Sequence, residues 1–189
     1  MPLILKAGTG NQTARCSLLL LLLIIVVPST GCARHTSDEE MQHLLSEHKP
    51  EFEQLLQMIQ ADVDVLAITP TSLLTRNRLL LRYEGDTKQI EQVIPAARWS
   101  KYQELFRKTH VLGGVFKETD GAIEFEMDRP SFRNGDSRKG ISYDPTASQP
   151  LVKSLNGLGF DDLSTLSPRI RTAYRQVTKD WYLYLYFNS

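Results

Sequence analysis

Residues 181 to 187 read WYLYLYF, and no other stretch so narrows what the chain can become. Side chains of a strand alternate between faces, so Trp181, Leu183, Leu185 and Phe187 share one side, and Tyr182, Tyr184 and Tyr186 the other. A helix would scatter both sets around its circumference. The apolar side has to be buried, where each such side chain contributes roughly 1.5–3 kcal/mol. The tyrosine side is large, stiff and amphipathic. It suits either an exposed platform for a ligand or partner, or a sheet face partly covered by a helix. Tyr174 to Thr178 and the turn Lys179-Asp180 precede it, which predicts a closing hairpin.

The opposite end decides how much of the chain has to fold. Leu18 to Val27 is an unbroken apolar run ending at Pro28. It falls short of the roughly 17–25 residues that a helix needs to cross a bilayer. Lys6 and Arg15 are the only charges before it, and no Asp or Glu occurs until Asp38, the pattern of a secretory signal. Ser29-Thr30-Gly31-Cys32 resembles the lipobox of bacterial lipoprotein precursors, with Ser29 standing where that family usually has an aliphatic residue. The resemblance implies that Cys32 receives diacylglycerol and becomes the acylated first residue of the mature chain. Ala33 after it implies the outer membrane, facing the periplasm, rather than the inner one. An ordinary signal peptide cut near Pro28-Ser29-Thr30-Gly31 is the alternative. Cys16 would leave with the leader, so Cys32 is the one mature thiol and no internal disulfide can form.

The expected organisation is a signal peptide over 1–31, a tether over 32–36 and a single α+β domain over 37–189. Removing the leader takes two of the 22 Lys and Arg and none of the 22 Asp and Glu, leaving a formal charge of −2. Nucleic acid is not an expected partner, because phosphates call for a basic surface.

Ser37-Asp38-Glu39-Glu40 predicts a capping box, followed by apolar residues at helical spacing from Met41 to Val63. Pro50 predicts a kink, or a break with Pro50 opening a second helix. Another helix is expected from about Pro95 to Thr109, with Trp99, Tyr102, Leu105 and Phe106 on one side and Gly113-Gly114 as its stop. The stretch from Val65 to Val93 has no clear assignment. Val115 to Met127 predicts a hairpin turning at Asp120-Gly121, with Ile123, Phe125 and Met127 on a dry face and Glu124, Glu126 and Asp128 on a wet one. Gly140 to Tyr143 predicts a further strand, and Leu151 to Leu155 a short helix. Helices first and antiparallel strands after them predict an α+β domain, its N-terminal helices packed on a C-terminal antiparallel sheet. Arg98-Trp99-x-x-Tyr102, Gly113-Gly114-Val115, Lys139-Gly140-Ile141-Ser142-Tyr143 and Trp181-Tyr182-Leu183-Tyr184 together resemble a group of small uncharacterised bacterial exported proteins. That resemblance implies a fold and no activity.

Chemistry is sparse. Of the four histidines, His43 and His48 stand five apart, where a helical metal pair wants three or four. Glu39, His43 and Glu47 step by four, the spacing of a metal face and equally of solvated i,i+4 pairs. His110 closes a helix, where a cation suits the dipole. Asp62 with Asp64, Asp161 with Asp162, and Asp128, Asn134 and Asp136 form no calcium-loop spacing. No serine stands in a G-x-S-x-G turn. Arg129, Arg133, Arg138 and Lys139 suggest a basic loop for an anionic partner, or a solvated hairpin. The expectation is a lipid-anchored envelope protein with a non-catalytic binding domain. Its partners are the membrane, through acylated Cys32, and an unknown envelope protein or ligand, and no cofactor is implied. The possible binding surface is Tyr182, Tyr184 and Tyr186, and the alternative is an envelope hydrolase with an unrecognised site.

Overall fold

The computed structural model describes residues 35–128, 131–132, 135–146, 151–159, 162 and 171–187; Cys32 and the whole leader lie outside them. Ala33–Ser189 is one compact unit that carries its own core. The described residues form an α+β fold of four helices on an antiparallel sheet.

Ser37 caps α1 (Asp38–Glu47): its hydroxyl accepts the Glu40 amide, and the Glu40 carboxylate accepts the Ser37 amide. The chain breaks at His48, and Pro50 sits in the first turn of α2 (Lys49–Ala61), where a missing N–H costs nothing. Met41, Leu45, Phe52, Leu55, Leu56 and Ile59 are buried as the spacing predicts, while Val63, beyond the helix end, is exposed.

The unassigned stretch forms a meander of β1 (Val65–Ile68), β2 (Ser72–Thr75) and β3 (Leu80–Arg82), followed by α3 (Tyr83–Val93). Next comes α4 (Ala96–Thr109), which buries Trp99, Tyr102, Leu105 and Phe106. It ends at His110 in the left-handed conformation (φ 56°), ahead of the glycines expected to stop it. Gly114 instead starts β4 (Gly114–Lys117), with Gly113 just before it. Gly114 has φ 115°, and an added Cβ would lie 2.4 Å from the Ile68 carbonyl oxygen on β1.

β5 (Ile123–Asp128), β6 (Ser131–Phe132), β7 (Gly135–Tyr143), β8 (Thr172–Thr178) and β9 (Trp181–Phe187) complete the set. The sheet order is β3-β2-β1-β4-β5-β7-β9-β8, every neighbour antiparallel, with β6 paired to β7 alone. The closing hairpin turns at Asp180, whose φ is 65°. Residues 151–155 form no helix: Leu151 bridges to Tyr174, and Leu155 is buried among the core residues.

The helices cover one face of the sheet. Phe52 of α2 meets Phe125 of β5 edge-on at 5.4 Å and Trp181 of β9 at 6.3 Å, and Phe125 stacks on Trp181 at 5.9 Å. Leu183 and Leu185 join them, both essentially inaccessible. The other face is dry as well. Glu124 and Glu126, expected in water, are 5% and 0% exposed. Tyr182 and Tyr184 are 6% and 0% exposed, and they form a second cluster with Tyr174, against which Tyr186 packs half-buried. Gly140 makes room for Tyr184, since a Cβ there would meet a ring carbon at 2.9 Å.

The last strand therefore fills two layers at once. A chain ending at Lys179 is expected to lose its cooperative melting transition. Trp181→Ala alone should cost about 3–5 kcal/mol, measured by denaturant titration, a large part of the roughly 5–15 kcal/mol available.

Candidate functional site

Three places hold functional groups in defined geometry. The first lies where the chain enters the domain. His35 Nδ1 contacts the Asp128 carboxylate on β5, and His35 Nε2 lies 2.8 Å from Ser137 Oγ on β7. The Thr36 amide donates to Asp128 Oδ2 at 2.6 Å, and the Thr36 carbonyl accepts Lys139 Nζ at 2.8 Å. Burial pushes the Asp128 carboxyl up, but the His35 contact and the Thr36 amide outweigh it and hold the group below its ordinary range. In a neutral ring, a proton on Nδ1 facing the carboxylate would leave Nε2 to accept from the Ser137 hydroxyl. Asp128, His35 and Ser137 thus stand in the order of a nucleophile with its base and orienting acid. Ser137 itself is 1% exposed and sits on a continuous strand opposite Phe187. Sequence spacing hides this arrangement, since its members are 93 and 102 residues apart. His35 and Thr36, expected in the tether, are bonded into the domain.

Beside it, Asp38 is fully buried at the start of α1. Its carboxylate meets Lys139 Nζ at 2.8 Å and Arg175 at 3.1 Å, and accepts the Leu155 amide at 2.7 Å and the Ser154 hydroxyl at 3.0 Å. Burial raises its pKa, and the Lys139 and Leu155 bonds more than reverse that. Lys139 and Arg138, expected in a loop, are therefore strand residues of β7. Lys139 is inside, and Arg138 lies over the Tyr186 ring at 4.5 Å. Arg129, Arg133 and Asn134 lie outside the described residues.

The second place is the tyrosine face. Of the two readings of this face, exposed platform or covered side, the burial fits the covered one: Tyr182 and Tyr184 are packed inside, and Tyr186 stays partly accessible. Burial, reinforced by Glu118, pushes the Glu124 carboxyl up to about 8, and the Tyr174 hydroxyl lies 3.5 Å from it. The hydroxyls of Tyr184 and Ser142 are buried with no hydrogen-bond partner among the described residues.

The third place is an open groove of about 460 Å³ between α1, the loop after α4 and β5. Leu44, Leu112 and Met127 make its walls, and Thr36, Glu40, His43 and His110 its polar members. His43 pairs with Glu47 at 3.5 Å in solvent, and Glu39 turns instead to Asn156 at 2.9 Å. Among the described residues no group of three or more His, Cys, Asp or Glu side chains is placed to hold a metal.

The Arg98-Trp99-x-x-Tyr102 motif is a structural clamp. Arg98 Nε and the Tyr102 hydroxyl both donate to Asp62, at 2.8 and 2.7 Å, which fixes α4 against the end of α2. No known protein family, characterised protein or solved structure matches the chain.

The buried carboxyl generates a pH prediction. With its value raised from 4.5 to about 8, Glu124 keeps its proton in the folded chain where the unfolded chain has already released it. Its contribution is fully present below about pH 4.5 and lost as pH climbs toward 8. Glu124→Gln should therefore raise the melting temperature by several degrees at pH 8 and leave it nearly unchanged at pH 4. A larger gain at pH 4 than at pH 8 would contradict this.

Proposed function

We propose that the chain is a lipid-anchored protein of the bacterial cell envelope whose domain binds its ligand or partner rather than transforming it. The signal-like leader and the lipobox resemblance at Gly31-Cys32 support the anchor, with the outer membrane favoured by Ala33. One observation carries the reading: His35 and Thr36, the third and fourth residues after Cys32, are already bonded to β5 and β7. A domain that begins this close to its anchor would be held against the membrane surface rather than on a long leash. No described helix is long and apolar enough to cross a membrane; in this reading the acyl chains on Cys32 make the attachment. Several acyl chains on one residue hold a protein stably, where a single one binds only marginally. Labelled palmitate should enter the wild-type protein in cells and not Cys32→Ser. Equal incorporation, or a mature N-terminus other than Cys32, would overturn the anchor.

A second reading rests on the Asp128–His35–Ser137 array, which is that of an envelope hydrolase. In it the Ser137 oxygen attacks a carbonyl while His35 Nε2 takes its proton and Asp128 steadies the imidazolium. It ranks second because Ser137 is covered. A fluorophosphonate probe decides it. Labelling that maps to Ser137 and disappears in Ser137→Ala and His35→Ala establishes the hydrolase. No labelling of folded protein leaves the array as a structural latch.

A further inference from the structure

We propose that the groove between α1, the loop after α4 and β5 is a binding site for the alkyl chain of a membrane lipid. Its walls are apolar side chains of three different elements, Leu44, Leu112 and Met127. Leu112 is 70% exposed, so its side chain is accessible to a ligand in the groove. At about 460 Å³ the groove falls within the range of small-ligand sites, which run from about 300 to 1,000 Å³. Four of the seven lining residues, Thr36, Glu40, His43 and His110, are polar and could fix one end of a ligand, while Leu44, Leu112 and Met127 offer apolar surface to the rest. That division fits an amphiphile: the tail lies along Leu44, Leu112 and Met127, and the head stays near His43 and His110. Met127 is only 3% exposed, so Leu44 and Leu112 offer most of the accessible apolar surface.

The source of the lipid follows from where the groove lies. Thr36 is part of its lining and stands four residues after Cys32, so at most about 14 Å of chain separates the two. This step rests on the anchored reading, which holds the groove close to the bilayer. The alkyl-chain chemistry of the site rests on the lining alone, and the two can fail separately.

The test uses the chain beginning at Ala33, a compact unit without Cys32, and cis-parinaric acid, a fatty acid that fluoresces when its chain is shielded from water. Saturable binding of one probe per chain is expected, displaced by palmitate and not by hexanoate. Leu112→Asp should weaken it by roughly tenfold or more, since it places a charge against the tail. Because Leu112 is exposed, the variant should melt at the wild-type temperature. A photoreactive fatty acid should crosslink to peptides containing Leu112 or Met127. Absence of saturable binding, equal affinity in Leu112→Asp, or crosslinks confined to other residues would each overturn the site. Loss of palmitate labelling at Cys32 in cells would overturn only the anchor, because the chain from Ala33 has no attachment point to lose.

Discussion

The buried carboxylate of Asp38 ties together parts of the chain that lie far apart in sequence. It belongs to α1, yet its partners are Lys139 on β7, Arg175 on β8 and the Ser154-Leu155 backbone segment, up to 137 residues away. Its own amide donates to Asn156 at 2.9 Å. A charge taken out of water is tolerable only when such partners replace the lost hydration. Its position in the first turn of a helix adds the favourable end of the helix dipole. The same Lys139 ammonium also holds the Thr36 carbonyl, so helix, sheet and entering chain meet at one ion pair. Removing either partner of such a pair typically costs about 3–5 kcal/mol, because a bare buried charge remains.

That arrangement settles the first face of the sheet, and the second is settled differently. There the side chains are polar but dry: Glu124 and Glu126 on β5, Ser142 on β7, Tyr182 and Tyr184 on β9. Burial lets Glu124 keep its proton near neutrality, so it contributes a neutral carboxyl rather than a buried charge. Tyrosines suit this layer because their rings bring apolar area and their hydroxyls can face the carboxyls. Gly140 is the small residue that lets a tyrosine ring lie flat over the strand. Both faces of β9 are thus committed, and the alternation that looked like a core side and a display side is two kinds of core.

Local signals were legible and distant ones were not. The capping box at Ser37, the break just before Pro50, the α4 face and the two hairpins β4-β5 and β8-β9 are decided within a few residues, and each stands where its sequence predicts. β1 to β3 escaped because they are three or four residues long, and the Leu79-Leu80-Leu81 run, with only Leu81 buried, has no alternation of its own. Glu124 and Glu126 read as a wet face because period two reports which residues share a side, not whether that side is covered. His35 gave no signal at all. Its neighbours Asp128 and Ser137 come to it only through the pairing of β5 and β7, a tertiary fact.

The same geometry weighs binding against catalysis. A working serine nucleophile needs a substrate carbonyl within reach of its oxygen, and so needs its strand or its cover to open. Ser137 sits opposite Phe187 in an unbroken ladder, two residues before Lys139 on the same side of β7. Moving it would pull on the Lys139–Asp38 pair and on the His35 and Thr36 bonds together. Access to Ser137 is therefore coupled to the ion pair on which the fold depends, and a site opened for each turnover would sacrifice that pair each time. The groove beside it asks for no such change. Its walls already stand open, one of its leucines lies in solvent, and an apolar ligand could enter with every buried hydrogen bond in place.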